Sequence, residues 1–137
     1  MRMPPMPRKP SSLPTEVELE LLKLVWRLGE ATVRDVLEAL PPKRKLAYTS
    51  VMSMMRVLEE KGYVTHRERD RAYVYRARVS EEQIAHGMIR HLVKRMFNGS
   101  PERLMVKLLE AADLSEEQLE ALRRKINEAK RREGGSK

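Results

Sequence analysis

The chain has 137 residues, a formal charge of +8 and a pI of about 10.0, so it is sized for one domain or a small domain with a helical extension. It contains no cysteine, which excludes disulfides, thiol nucleophiles and cysteine-based zinc sites. No apolar run approaches the ~18–20 residues that span a bilayer. The N-terminal stretch lacks the apolar core of a secretory signal. A cytoplasmic chain without stable membrane association is therefore expected. Residues 1–79 carry 16 Lys+Arg against 10 Asp+Glu, net +6, and residues 80–137 carry 12 against 10, net +2. The excess favours a polyanionic partner and sits in the first part of the chain.

Residues 1–12 are basic, contain four prolines and cannot bury apolar surface, so a disordered arm is expected. Thr15 with Glu18 three residues on forms a capping box for a first helix. Val17, Leu21, Leu24, Val25 and Leu28 follow at helical spacing, and Gly29 closes it. Trp26 lies off that stripe and is expected at a helix junction. Thr32 caps a shorter second helix with Val33, Val36, Leu37 and Leu40 on one face, ended by Pro41 and Pro42. Lys43, Arg44 and Lys45 then stand ahead of a third helix, either as a solvated basic loop or as phosphate contacts.

The third helix, from Ala47 to Lys61, divides into two faces at 100° per residue. Ala47, Val51, Met54, Met55 and Leu58 form the expected core side. Thr49, Ser53, Arg56 and Glu60 lie opposite, with Ser50 and Met52 on the flanks. Small hydroxylated side chains and an arginine suit a helix that enters the major groove, where Ser and Thr bond to bases or phosphates and Arg binds guanine. Tyr48, Thr49, Ser50, Ser53 and Arg56 are the candidate reading residues. The methionines sit at core spacing and fill gaps.

Gly62 ends this helix. Tyr63–Arg69 and Ala72–Val79 read as two strands turning at Asp70-Arg71. Five arginines stand against two acids in this hairpin, and Arg67, Arg69 and Arg71 crowd its tip. A solvated, aggregation-resistant edge would look the same. Beside a groove helix, however, the arrangement is that of a wing reaching the backbone. Tyr73 and Tyr75 share a face and are expected to pack onto the helices. Three further helices are expected near residues 81–97, 101–112 and 116–132, announced by Ser80/Gln83, Ser100-Pro101 and Ser115/Gln118.

The expected fold is mainly α with a small antiparallel β-hairpin. A winged helix-turn-helix domain (13–79) precedes a three-helix dimerisation region (80–133) and a flexible tail (134–137). Apolar residues wrap more of the fourth and fifth helices than one core requires, so they must pack on several neighbours or on a second chain. A dimer is expected over a monomer whose extra helices fold back on the winged helix. Ile84, Met88, Leu92, Met96, Leu104, Leu108, Leu109 and Leu122 are the candidate dimerisation residues.

The segments LPTEVELELLKLVW, ATVRDVLEAL, LAYTSVMSMMRVLEEKGYV, RAYVYRARVS and NGSPERLMVKLLEAADLSEEQLEALR resemble the penicillinase-repressor (BlaI/MecI) family, over nearly all of Leu13 to about Ile126. The resemblance implies a homodimeric transcriptional repressor on palindromic operators, controlling β-lactam resistance or related stress genes. It also implies a membrane sensor protease or its downstream protease as partner. The Asn–Phe bond cleaved in resistance-linked members aligns with Lys107–Leu108, and that departure speaks against induction by the same proteolytic specificity. Copper-responsive relatives use C-terminal cysteines, and this chain has none.

No phosphate loop, nucleophile elbow or paired-carboxylate site is recognisable, and His66, His86 and His91 lack metal-ligand spacing. No enzyme, metal or cofactor is expected. The rival to a specific repressor is a winged helix that binds nucleic acid nonspecifically or serves protein interaction.

Overall fold

A computed structural model describes residues 13–135, so the N-terminal arm lies outside the described residues. The element order is α1 (Glu16–Leu28), β1 (Glu30–Ala31), α2 (Val33–Ala39), α3 (Tyr48–Glu60), β2 (Val64–Arg69), β3 (Ala72–Ala77), α4 (Glu81–Met96), α5 (Pro101–Ala111) and α6 (Glu116–Gly135). The described residues divide within α4 into two compact units, one through Arg90 and one from His91.

Side-chain capping fixes where most helices begin. The Thr15 amide donates to Glu18 and the Glu18 amide returns a bond to the Thr15 hydroxyl, at 2.9 and 3.2 Å. Thr32 and Asp35 repeat this device at α2, a capping box that sequence reading had not paired. Ser80 with Gln83 and Ser115 with Gln118 close the same reciprocal bonds at α4 and α6. Ser100 caps α5 after a left-handed turn at Asn98 and Gly99. Gly29, at φ 83° and ψ −65°, stops α1 in a positive-φ conformation that L side chains rarely adopt.

The sheet is antiparallel with order β1-β3-β2. β1 was not foreseen. It is two residues long and pairs Glu30 with Arg76 and Ala31 with Tyr75, turning the expected hairpin into a three-stranded sheet. The hairpin runs from Val64 opposite Ala77 to Arg69 opposite Ala72. Its strands are shorter than expected, because Tyr63 and Arg78 lie beyond the strand ends, joined by one backbone bond of 2.8 Å.

The core of the first unit joins Leu21, Leu22 and Val25 of α1 to Val33 and Val36, to Val51, Met55 and Leu58 of α3, and to Tyr63, Val64 and Tyr75. Leu22 extends the α1 stripe, whereas Leu28 is exposed. Val51, Met55 and Leu58 fill the expected core side of α3. Met54 is half-buried and Ala47 is exposed, because Ala47 lies before the first turn as N-cap. Trp26 packs against this core, and its indole N–H donates to the Val79 carbonyl at 2.8 Å. In the second unit α6 continues to Gly135, into the stretch expected as a tail.

Candidate nucleic-acid interface

The outward side of α3 carries Thr49, Ser50, Ser53 and Arg56, all exposed, and Tyr48 at its first residue is 44% exposed. None of these five makes an ion pair or side-chain hydrogen bond among the described residues. The inward side is anchored by three side chains with no exposure, Val51, Met55 and Leu58. Burying that apolar face fixes the rotation of the helix, and the rotation is what points the hydroxyls and Arg56 outward.

Structure separates the predicted basic residues into two sets. Arg44 is held by Glu20 of α1 through a bidentate contact, with Nη2 2.6 Å and Nε 3.1 Å from Oε2. Arg67 donates to Glu30 of β1 at 2.7 Å. Both cations were expected to face DNA, and each has a glutamate partner while its side chain stays 38% (Arg44) and 52% (Arg67) exposed. Lys43, Lys45, Arg69 and Arg71 remain exposed and form no ion pair among the described residues. Paired arginines here tie the loop before α3 to α1 and the wing's first strand to β1, and the unpaired ones supply the field.

Two further contacts seat α3. Lys61 donates to buried Glu18 at 2.8 Å. Burial pushes the Glu18 carboxyl up, but Lys61 and the Thr15 amide outweigh it, so its pKa lies below the ordinary 4.5. Glu20 is also lowered, first by its hydrogen bond from Arg44. At the hairpin root, His66 Nδ1 lies 2.7 Å from Glu59 of α3, and its ring stacks on Tyr73 at 4.0 Å. Tyr73 thus covers His66 and stays exposed, whereas Tyr75 is buried as expected. Burial, then the neighbouring Glu59 carboxylate, pushes the Tyr75 hydroxyl above its ordinary 10.0.

Sequence reading did not single out Arg34 of α2, whose guanidinium lies 5.9 Å from the Tyr48 ring centre. Its outward position between buried Val33 and Val36 was readable. Its aromatic partner, fourteen residues away, was not. At the wing tip Asp70 and Arg71 have φ 53° and 66°, a two-residue turn with both central residues left-handed.

Of the candidate dimerisation residues, Ile84 is buried in the first unit's core. Met88, Leu92, Met96, Leu108, Leu109 and Leu122 are exposed and Leu104 is half-buried. Lys107 and Leu108 lie exposed on α5, where Lys107 lines an open groove with Met96, Phe97 and Val106. Among the described residues no His, Asp or Glu cluster could hold a metal ion, and no helix is long and apolar enough to cross a membrane.

A groove-sized helix with a polar outer face, seated on a three-helix core beside a basic hairpin, defines a winged-helix DNA-binding regulator. Residues 14–128 match the family model described as penicillinase repressor. The chain belongs to the penicillinase-repressor family, a family of transcriptional repressors. The penicillinase repressor of Bacillus licheniformis is 24% identical over 118 residues, covering 86% of this chain and 92% of that protein. The transcriptional regulator BlaI of Mycobacterium tuberculosis is 32% identical over 115 residues, 82% of each. The solution structure of the DNA-binding domain of the repressor BlaI covers 56% of this chain and 90% of that one, at a TM-score of 0.48 and 24% identity.

Proposed function

We propose that the chain is a sequence-specific repressor that binds palindromic operators as a homodimer. In this reading α3 contacts base edges through Thr49, Ser50, Ser53 and Arg56, while Lys43, Lys45, Arg69 and Arg71 bind phosphates. Residues 13–79 form the DNA-binding part and residues 80–133 pair two chains. The observation that carries the reading is the polar outer face of α3. Thr49, Ser50, Ser53 and Arg56 form no ion pair or side-chain hydrogen bond among the described residues, although other cations of the same unit are paired with glutamates.

Pairing is supported by apolar side chains that a single chain leaves in water, Met105 at 61%, Leu109 at 55% and Ile126 at 55% exposed among them. Large exposed apolar patches are rare on monomeric proteins and mark interaction surfaces. A two-fold dimer sets its reading helices about 34 Å apart, one duplex turn, or at a multiple of that spacing. Release of β-lactam-resistance or related stress genes, by cleavage at Lys107–Leu108 or by another signal on the second unit, completes the proposal.

Selection from random duplexes, followed by affinity measurements on the selected site and a scrambled one, tests it. A preference of about 10³ or more at fixed salt is expected, since specific sites exceed nonspecific ones by that margin. Arg71→Ala should weaken both duplexes alike, and Ser53→Ala should change the preference. Equal binding of both duplexes with steep salt loss would establish the nonspecific alternative instead.

A further inference from the structure

We infer that Arg34 and Tyr48 form a phosphate-binding site for the duplex backbone, at the opposite end of α3 from the wing's attachment. The inference rests on the DNA-binding reading above and adds a site to it.

Arg34 projects from α2, exposed, between the buried Val33 and Val36. It forms no ion pair among the described residues. Arg44, Lys61 and Arg67, by contrast, each have a glutamate within 2.8 Å. Its partner is the exposed Tyr48 ring, 5.9 Å from the guanidinium carbon. A cation–ring contact uses no N–H of the guanidinium in a hydrogen bond, so its N–H groups stay available to the oxygens of a phosphate. The ring also restrains a long side chain whose freedom would otherwise be lost on binding. Arg34 is therefore charged, restrained and unneutralised.

Position makes this arrangement useful. Tyr48 is the first residue of α3, and Glu59, eleven residues on, makes the contact with His66 at the hairpin root. At 1.5 Å per residue these points lie about 17 Å apart along the helix, against a major groove about 12 Å wide. With Arg34 near the first residue of the reading helix and the basic wing attached near its other end, the unit can present cations to both phosphate walls of the groove that α3 enters. Such contacts fix register and carry no sequence information of their own.

The test uses the full chain with a selected duplex and its scrambled counterpart, titrated between about 50 and 200 mM salt. Arg34→Ala should weaken both duplexes by one factor and leave their ratio unchanged. Losing one phosphate contact lowers the slope of log K against log salt by about 0.9 per bound subunit. The deficit should therefore shrink about 3.5-fold per subunit across that range. Arg34→Lys should keep the wild-type slope while binding more weakly than wild type, because the charge stays and the planar fork is lost. Arg34→Ala should also cost less in a Tyr48→Ala background. An unchanged salt slope in Arg34→Ala, with normal wild-type preference, overturns the phosphate site alone. Failure of the wild type to bind either duplex overturns it together with the reading on which it rests.

Discussion

Arg71 sits where an L residue is costly, at φ 66° in the second position of the wing turn. Replacing it separates charge from conformation. Arg71→Ala removes the cation and keeps the strain, whereas Arg71→Gly removes both. A left-handed residue other than glycine costs about 1–2 kcal/mol, and glycine gives back about 0.5–1 kcal/mol through the entropy of the unfolded chain. Arg71→Gly should thus be about 0.5–1 kcal/mol more stable than Arg71→Ala. For a unit of this size the gain corresponds to roughly 3–6 °C in Tm. Melting followed by circular dichroism reads the first quantity, and DNA anisotropy at fixed salt reads the second. Both variants should lose the same affinity, since both lose one cation per subunit. A Tm for Arg71→Gly at or below that of Arg71→Ala would refute the strain argument. A clear difference between their affinities would show that turn geometry, not charge, governs the wing.

Other consequences follow from burial and pairing. Glu18 has a folded pKa below its unfolded value near 4.5, so its contribution is present above that pH and is lost as pH falls through the folded value. Acid titration of stability should therefore be shallower below about pH 4.5 in Glu18→Gln than in wild type, measured by urea unfolding at stepped pH. Met55 has no exposure, and Met55→Ala should cost about 2–5 kcal/mol, read from the shift of the urea midpoint. An effect below 1 kcal/mol would mean that the site collapses around the cavity. Leu122→Glu, at a position 44% exposed in the single chain, should weaken self-association in sedimentation equilibrium while helix content is retained. Unchanged association would remove Leu122 from the pairing surface.

Local signals made much of this fold legible. The capping boxes at Thr15, Ser80 and Ser115 and the glycine stop at Gly29 each arise from a few neighbouring residues and appear as expected, as do the two faces of α3 apart from exposed Ala47 and half-buried Met54. What escaped was nonlocal. β1 is two residues whose partners, Tyr75 and Arg76, lie more than forty positions away. Arg44 and Arg67 looked like the other cations until the fold brought Glu20 and Glu30 to them. Charge can be counted along a chain, but neutralisation needs three dimensions. Tyr73 and Tyr75 share a strand face, yet Tyr73 lies opposite Glu68, nearer the tip, where helix cover ends and His66 takes its place. Ile84 has the spacing of a pairing residue and is used by the first unit's core instead.

The bond from Trp26 to the Val79 carbonyl has a practical consequence. This chain holds one tryptophan, and its indole rests where the sheet hands over to α4. Indole emission responds to the loss of a hydrogen bond and to entering water. The protein therefore carries an internal optical probe at that joint. Without any added label, its spectrum can report whether occupying a duplex, or altering the helices that follow, loosens the point where the two ends of the first unit are tied.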